Sequence, residues 1–285
     1  MMLSSKELEN TMAIRLVAAD LDGTLLNSEK TITPATQRAI TRAQAAGIHF
    51  AVSTGRMLCE CGEILPALPQ VRYISCSSGA RVLDLVTHET IYEACLTPQQ
   101  AWALYTRLKA FGGIFCYFTD GNVYCDAALW RTAAALLEPW AADYIRRLYL
   151  PVEHFEAFLQ QNTQPVEKLF LMFPSQEERD AAWDAVRGLP LYIAASAPVN
   201  LELTAAAANK GASLDALRRH LGLDRRQVMA IGDSENDLRM LGYAAVPVVM
   251  ANADDEIKSI AALVAPSNDE DGVAWVLDRL AEGEL

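Results

Sequence analysis

The sequence lacks any long apolar run, although 52% of its 285 residues are hydrophobic. The longest runs, such as residues 246–251, are far shorter than the about 20 residues that a membrane-spanning helix needs. No positively charged and then apolar leader opens the chain either. We therefore expect a soluble, cytoplasmic protein that does not bind membranes and has enough apolar residues for a substantial core.

Basic residues are also scarce, because 24 Lys and Arg stand against 36 Asp and Glu, which gives a net charge of -12. A nucleic-acid-binding protein neutralises phosphates with clustered Lys and Arg, and no such cluster occurs in the sequence. We therefore expect no nucleic-acid partner. If the protein handles an anionic ligand, it must build positive charge locally at that site.

Cysteine pairs with metal-binding spacing are missing. The sequence has six cysteines, but none forms a CxxC pair and no HxxxH partner follows them. Only Cys59 and Cys61 lie close together along the chain. We interpret the six as structural or incidental thiols, which stay reduced in a reducing compartment.

Short apolar runs alternate with helical patterns at both ends of the chain. Runs at residues 14–19, 48–53 and 73–76 predict strands, and residues 34–46 predict a helix that ends at Gly47. After residue 200 the pattern predicts strands at 228–231 and 246–250, and helices at 211–221, from Asn236 and at 254–261. Continuous apolar runs are typical of strands buried on both faces. We therefore predict an α/β fold with a doubly wound, Rossmann-like parallel sheet.

The middle of the chain has a different pattern, with turn residues at 120–122 between two strand-like runs, as in a β-hairpin. The predicted strands are 114–119, 123–125, 166–173 and 191–195, and the predicted helices are 98–110, 127–142 and 176–187. We predict a flexible N-terminal extension at 1–12, a core domain from 13–84 and 197–285, and an inserted α/β domain at 85–196.

A carboxylate pair follows the first predicted strand, in the sequence Asp20-Leu21-Asp22-Gly23-Thr24. Ligands of open parallel sheets bind at the carboxyl ends of strands. In an extended backbone, side chains two residues apart project to the same side, so Asp20 and Asp22 can address one ligand. Taken alone, the sequence could equally be an ordinary acidic turn.

Three further loops carry polar groups at strand ends or helix starts. Residues 53–56 (STGR) offer a hydroxyl and backbone amides to an anion, although they could equally be a helix cap. Lys210 opens a predicted helix, where a lone lysine is usually a solvated charge. Asp233 and Asp237 lie four residues apart at another helix start and could face one ligand. Together the four loops predict a polar site at one edge of the sheet.

These four motifs, DLDGT at 20–24, STGR at 53–56, NKG at 209–211 and GDSEND at 232–237, resemble those of the haloacid dehalogenase (HAD) superfamily. The resemblance is to Cof-type phosphatases of subclass IIB, which carry a C2-type α/β cap between the second and third motifs. It extends to Leu201-Glu202-Leu203 and to Asp271-Gly272-Val273. One loop differs: residues 78–80 read Ser-Gly-Ala where the family usually has Asn-Gly-Ala, at the substrate entrance of relatives.

The resemblance implies a role for each motif. Asp20 would attack phosphorus and form an aspartyl phosphate, and Asp22 would act as general acid and then base, a role that needs a raised pKa. Mg²⁺ would bind Asp20, Asp233 and the backbone carbonyl of Asp22. Asp237 would orient metal-bound water or Lys210. The phosphoryl group would be bound by Leu21, Thr54, Gly55, Lys210 and Asn236.

The implied function is Mg²⁺-dependent hydrolysis of small phosphorylated metabolites, such as sugar phosphates. A phosphomutase would share the aspartyl intermediate. A receiver-like signalling domain is much shorter and lacks the second Asp, and a dinucleotide-binding dehydrogenase would show GxGxxG after the first strand. The cap would close over the site and read the substrate, with Tyr117, Asp120, Tyr124 and Arg131 as candidate contacts. The particular substrate and the oligomeric state are left open.

Overall fold

A computed structural model describes residues 13–127, 130–131, 139–195 and 197–285. These residues form two compact units. The first unit contains the described residues up to Arg56, together with Cys61–Glu93 and Asn209–Leu285, and the second contains Met57–Glu60 and Ala94–Ala208. The predicted extension at residues 1–12 lies outside the described residues.

The strands and helices alternate along much of the described chain. The strands are β1 Leu16–Ala19, β2 His49–Ser53, β3 Tyr73–Cys76, β4 Arg81–Asp84, β5 Thr90–Glu93, β6 Ile114–Thr119, β7 Asn122–Asp126, β8 Tyr149–Val152, β9 Val166–Met172, β10 Leu191–Ala194, β11 Asn200–Ala205, β12 Val228–Gly232, β13 Val246–Met250 and β14 Leu263–Ala265. The α-helices are α1 Pro34–Ala45, α2 Pro98–Leu108, α3 Pro139–Leu148, α4 Phe155–Gln161, α5 Gln176–Val186, α6 Lys210–His220, α7 Leu238–Tyr243, α8 Asp255–Lys258 and α9 Gly272–Glu282.

The sheet of the first unit has eight strands in the order β14-β13-β12-β1-β2-β3-β4-β5. The six strands from β14 to β3 are parallel, whereas β4 and β5 add to the edge in antiparallel pairing. β1 is buried along its whole length, as expected for a central parallel strand. The predicted parallel sheet is therefore confirmed, with an antiparallel extension that the periodicity did not reveal.

Helices pack on the first sheet in two pairs. On one face, Leu16 and Ala18 of β1 share a core with Leu214 of α6 and Met240 of α7. Because successive strand residues face opposite sides, the other β1 residues point away from this core. The second pair, α1 and α9, pack against each other and contribute no residue to this core. This is the predicted doubly wound arrangement, with helices on both faces.

The second unit contains a six-stranded sheet in the order β10-β11-β9-β6-β7-β8, antiparallel except for the parallel pair β7 and β8. One face packs against α2, α4 and α5 around a core that includes Leu104, Phe115 and Leu169. The predicted helix at 127–142 falls largely outside the described residues, and α3 begins at Pro139.

The structure divides the chain at points that differ from the sequence boundaries near 85 and 197. β5 pairs with β4 and so belongs to the first sheet. β11 pairs with β9 and β10 and so belongs to the second sheet. Periodicity identifies a strand but not its partner, and the partner determines the unit to which each strand belongs.

All six cysteines lie among the described residues as thiols. Within the described ranges, no helix has both the length and the apolar composition needed to cross a membrane.

Candidate active site

The motif loops meet at one edge of the first sheet because of strand order. β1 lies between β12 and β2, and all three strands are parallel. The amide of Asp20 continues the ladder beyond β1 by donating to the carbonyl of Ile231 at 2.9 Å. The loops that follow the three strands therefore lie side by side at their carboxyl ends, as the sequence predicts.

Lys210, the first residue of α6, joins two of these loops. Its Nζ donates to Asp20 Oδ1 at 2.5 Å, to Asp237 Oδ1 at 2.7 Å and to Asn236 Oδ1 at 3.2 Å. The side chain is only 1% exposed. Asn209 caps α6 by accepting from the amide of Ala212, which fixes the start of the helix. The lysine is thus a buried counter-charge for two carboxylates.

Asp237 uses both of its carboxylate oxygens within the protein. Oδ1 accepts from Lys210, and Oδ2 accepts from the amides of Asp233 and Ser234 at 3.0 and 3.2 Å. These bonds shape the loop that carries Asp233 and orient Lys210. The arrangement suits a supporting role for Asp237 better than direct metal ligation.

Asp233 is held by the loop of the first motif. Thr24 Oγ1 donates to Asp233 Oδ1 at 2.9 Å. Gly23 has φ +83°, and a Cβ at this position would overlap the Asp233 carboxylate. Only glycine allows this close approach without strain. Thr24 belongs to the first motif, but the sequence alone did not predict this contact with Asp233.

The carboxylates form a cluster that is short of positive charge. Asp20, Asp233 and Asp237 each offer one oxygen, and these oxygens lie within 4.8 Å of one another. Burial raises the pKa of Asp20 to about 7, with a further contribution from Asp237, while Lys210 opposes the shift. Burial also raises the pKa of Asp233. A hard divalent cation such as Mg²⁺ prefers oxygen ligands, so the donor set fits this type of ion.

Lys210 is kept in its charged form by this cluster. Burial alone would lower the pKa of the ammonium, but the charges of Asp20 and Asp237 raise it above its ordinary value. One buried ammonium therefore faces three carboxylates, and a second cation would relieve their repulsion.

Asp22 does not join the cluster with its side chain. Arg56 binds it through two hydrogen bonds, from Nε at 2.7 Å and Nη2 at 2.6 Å, and Lys30 adds a longer contact of 3.3 Å. Burial acts to raise the pKa of Asp22, but the hydrogen bonds and charge of Arg56 leave it below its ordinary value. The expectation of a raised pKa is therefore wrong for this structure, because Arg56 stabilises the ionised carboxylate.

The other predicted phosphate-binding residues lie at the ends of β1 and β2. Thr54 is buried, its amide donates to the Ser75 carbonyl at 2.8 Å, and its Oγ1 accepts from the Arg56 amide at 3.1 Å. Leu21 buries its side chain, and its carbonyl accepts from Leu26. Gly55 lies beneath another loop, since a Cβ there would lie 3.4 Å from the hydroxyl of Ser78. Pairing of β1 with β2 brings this group beside Asp20.

The loop that differs from the family pattern is conformationally strained. Ser77, Ser78 and Gly79 have φ values of 51°, 58° and 90°. The amides of Ser77 and Ser78 donate to the carbonyls of Arg56 and Thr54. Gly79 packs so closely on Asn209 that a Cβ would overlap its backbone. The loop thus joins the second motif to the start of α6, and strain of this kind is often concentrated at functional sites.

Two residues that the sequence analysis did not assign also shape the site. Arg56 belongs to the second motif and pairs with Asp22, as described above. Asn252 Nδ2 donates to the carbonyl of Gly23 at 2.9 Å and so supports the loop of the first motif. Arg56 stands in the STGR motif, but no local signal in the sequence identified the partner of either residue.

Comparisons with known proteins agree with this arrangement. Residues 17–277 match the haloacid dehalogenase-like hydrolase family. Phosphatase YwpJ of Bacillus subtilis is 30% identical over 290 residues, covering 94% of this chain and all of that protein. The 5-amino-6-(5-phospho-D-ribitylamino)uracil phosphatase YcsE of Bacillus subtilis is 29% identical over 276 residues, covering 93% and 96% of the two chains.

A solved structure shows the same fold. The crystal structure of a haloacid dehalogenase-like hydrolase from Bacteroides thetaiotaomicron aligns with a TM-score of 0.80 and 25% sequence identity. The alignment covers 94% of this chain and 99% of that one. The chain therefore belongs to the haloacid dehalogenase-like hydrolases, in their Cof-type branch, and is a phosphoric monoester hydrolase.

Proposed function

We propose that this phosphatase is Mg²⁺-dependent and hydrolyses small phosphate monoesters through an aspartyl phosphate on Asp20. The observation that carries the proposal is the buried cluster at the sheet edge, where Asp20 is bound by Lys210 beside Asp233 and Asp237. Phosphate monoesters hydrolyse extremely slowly without a catalyst, so stabilising charge and orienting a nucleophile are the main requirements.

Asp20 is the proposed nucleophile. A carboxylate needs no base to activate it, and Lys210 holds one of its oxygens, which sets the orientation of the group. Attack forms a bond between Asp20 and phosphorus while the bond from phosphorus to the leaving oxygen breaks. Water then attacks the same phosphorus, the bond to Asp20 breaks, and inorganic phosphate is released.

Asp22 is the proposed acid and base. It would give a proton to the leaving oxygen in the first step and take one from the attacking water in the second. The ionised form that Arg56 stabilises suits the second step directly. The first step needs a protonated carboxyl, so the ion pair with Arg56 must open before a basic leaving group departs.

The phosphoryl group would be bound by the amides of Leu21 and Gly55, the hydroxyl of Thr54, and Lys210. Asn236 directs its carbonyl oxygen at Lys210, which leaves its amide group as the proposed donor. The metal would be held by the carboxylates of Asp20 and Asp233 and by the backbone carbonyl of Asp22. When bound, Mg²⁺ would neutralise negative charge on the phosphoryl group and help to orient it.

The second unit is the proposed cap, which would exclude water and read the part of the substrate beyond the phosphate. In the first unit, all of the proposed binding residues contact the phosphate or the metal. Recognition of the rest of the substrate is therefore assigned to the second unit. The name of the relative YcsE specifies a substrate with a phosphorylated ribityl chain. This supports a small phosphorylated metabolite as the substrate class.

The proposal can be tested with the purified protein, a panel of phosphorylated metabolites and Mg²⁺. Phosphate release should stop on chelation and return when Mg²⁺ is added back. Acid quenching during turnover of a radiolabelled phosphate ester should trap a label on the protein that hydroxylamine removes. A wild-type enzyme that turns over rapidly without any trapped label would contradict the covalent step, and a requirement for a sugar bisphosphate would indicate a phosphomutase instead.

A further inference from the structure

Two cysteines of the second unit face each other across the hairpin of β6 and β7. The register pairs Cys116 directly with Cys125. The turn between the strands consists of Asp120 and Gly121, whose φ values are 52° and 70°. Positive φ at both positions is typical of a type I′ turn, which joins antiparallel strands with two residues. The two cysteines have no CxxC spacing, so only the hairpin reveals that they form a pair.

The position of this pair along the hairpin determines how close its members are. In antiparallel strands, opposite residues alternate between hydrogen-bonded pairs and closer pairs without hydrogen bonds. Thr119 and Asn122 flank the two-residue turn and so form a hydrogen-bonded pair. Cys116 and Cys125 lie three pairs further on, at a close position with Cα atoms about 4.5 Å apart. Disulfides span Cα distances of about 4.4–6.8 Å, so the two positions suit such a bond.

The two side chains lie in one apolar cluster. Cys116 and Cys125 are 4% and 3% exposed, and Phe118 and Val123 belong to the same cluster. Tyr117, which lies between Cys116 and Phe118 in β6, belongs instead to the helix-packed core on the other face. Directly opposite residues of an antiparallel pair share a face. The two thiols therefore lie side by side, on the face away from the helices.

The protonation of the thiols reflects this proximity. Burial raises the pKa of Cys125 to about 11 and the pKa of Cys116 well above its usual value. Cys125 contributes to the shift of Cys116, because two neighbouring thiolates would repel each other. Since the thiolate is the reactive form, the pair should react more slowly than an exposed thiol.

Cys125 is the more accessible of the two by its place in the sheet. Its strand, β7, lies beside β8, a strand of four residues at the edge of the sheet. Cys116 lies on β6, between β7 and β9. Short elements at an edge open locally more often than the centre of a sheet. We therefore expect a small oxidant to reach Cys125 first, when β8 opens.

We propose that Cys116 and Cys125 are a site of reversible oxidation, at which a peroxide converts the two thiols into a disulfide within the hairpin. The inference is independent of the proposed function, because no residue of the acidic cluster takes part. The reductant that restores the thiols is a small thiol, which exchanges with the disulfide.

The oxidation has two steps. The Cys125 thiolate attacks one oxygen of hydrogen peroxide, an S–O bond forms, the O–O bond breaks, and hydroxide leaves to become water. The Cys116 thiolate then attacks the sulfur of this sulfenic acid, the S–S bond forms, the S–O bond breaks, and a second water is released. Two thiols are thus oxidised, one peroxide is reduced to two waters, and the thiol protons end in those waters.

The test treats the purified full-length protein with hydrogen peroxide, alkylates the remaining thiols in denaturant and digests the chain with chymotrypsin. Chymotrypsin cleaves after aromatic residues, and Tyr117, Phe118 and Tyr124 lie between the two cysteines. The peptides that carry Cys116 and Cys125 should stay linked after digestion and separate on addition of dithiothreitol. Sulfinic acid on Cys125 beside an alkylated Cys116 would overturn the inference, because an adjacent thiol should intercept the sulfenic acid first.

Cys59→Ala is the matched control. Cys59 packs against the same apolar cluster, but it is not a register partner of either strand. This variant should form the linkage as wild type does, whereas Cys116→Ala should leave Cys125 unlinked. A wild type in which Cys125 is linked to Cys59 instead would refute the assignment of the pair.

Thermal denaturation shows whether the disulfide fits the folded hairpin. The bond closes a short loop and so restrains the unfolded chain more than the folded one. Oxidised wild type should therefore melt at a higher temperature than reduced wild type, and dithiothreitol should remove the difference. An oxidised form that melts at an equal or lower temperature would mean that the bond distorts the hairpin, which contradicts the inference.

Discussion

At the scale of single residues, Lys210 balances the charge of the buried acidic cluster. It contacts Asp20 and Asp237 while being almost fully buried itself. Removing one partner of a buried ion pair leaves an uncompensated charge, whereas exposed pairs contribute little. The same residue thus serves stability and the proposed chemistry.

We predict that Lys210→Met abolishes turnover and lowers the free energy of unfolding by about 3–5 kcal/mol, the usual cost of breaking a buried pair. Chemical denaturation and steady-state kinetics would measure the two effects. Lys30→Met is the control, because Lys30 is 63% exposed and makes one long contact to Asp22. Equal effects of the two substitutions would show that burial of Lys210 has no special importance.

Asp20 is the proposed nucleophile, and we expect it to contribute little to the stability of the fold. An amide is a poor nucleophile, so we predict that Asp20→Asn abolishes turnover. Lys210 keeps Asp237 and Asn236 as partners in the variant, so the melting temperature should change little. Turnover within tenfold of wild type, at equal folded fraction by circular dichroism, would rule out Asp20 as the nucleophile.

At the scale of elements, glycines allow the loops of the site to approach one another. Gly79 has φ +90° and packs on the backbone of Asn209, next to the lysine that opens α6. Gly188 has a similar φ of +84°, but no atom lies within 4 Å of a Cβ there. Substituting alanine at Gly188 and at Gly79 therefore separates the cost of a left-handed backbone conformation from the cost of steric overlap.

We predict that Gly188→Ala lowers stability by about 1 kcal/mol, the cost of a left-handed alanine, and leaves activity unchanged. Gly79→Ala should cost clearly more and also reduce kcat, because it displaces the start of α6. Thermal denaturation and kinetics of both variants would check this. Comparable losses in the two variants would mean that the close approach at Gly79 is unimportant.

The β4–β5 connection is held by a buried carboxylate. Asp84 accepts hydrogen bonds from Arg72 and from the amides of Val86 and Thr87. These bonds, with Arg72 the largest contributor, outweigh burial and hold the pKa of Asp84 well below its usual range. A lowered folded-state pKa contributes stability above the unfolded pKa of about 3.9, and this is lost as pH falls towards the folded value.

We predict that Asp84→Asn lowers stability at neutral pH and weakens the loss of stability below about pH 4, where the unfolded-state carboxyl of wild type begins to protonate. Urea denaturation across this range would show it. Asp184→Asn is the control, because its ion pair with Arg187 is exposed on both sides and should matter little. If Asp84→Asn and wild type lose stability in parallel, the carboxylate does not anchor the connection.

At the scale of the whole molecule, a net charge of -12 is combined with a site for anionic substrates. Lys210 provides one local positive charge, and three carboxylates with oxygens within 4.8 Å of one another form a donor set that suits a second cation. Because a cation would bind the folded acidic cluster and not the unfolded chain, binding should stabilise the fold.

We predict that Mg²⁺ raises the melting temperature of wild type, with about 2.7 kcal/mol of stabilisation at 100 times its Kd. Asp233→Ala should reduce this shift and raise the Mg²⁺ concentration needed for activity. Asp215→Ala is the control, since Asp215 lies in the first unit but pairs with Arg218 and Tyr243. An unchanged shift in Asp233→Ala would exclude Asp233 as a metal ligand.

The sequence alone determined the local parts of this protein. Apolar runs identified β1, β2, β3, β12 and β13, and the motif residues around Asp20, Thr54, Lys210 and Asp233 were found where strands end or helices begin. These features depend on short-range properties, namely periodicity, turn residues and residue type, which a single chain segment contains in full. The four motifs also indicated the family.

The tertiary structure decided which distant residues and strands become neighbours. Asp20 and Lys210 are 190 positions apart in sequence, and the packing of α6 against the sheet that contains β1 brings them to 2.5 Å. Tertiary packing also pairs Asp22 with Arg56, which reverses the expected pKa shift of Asp22. It likewise decides the unit to which β11 belongs. Long-range contacts depend on how elements pack, and periodicity within a segment does not encode the neighbour that it will meet.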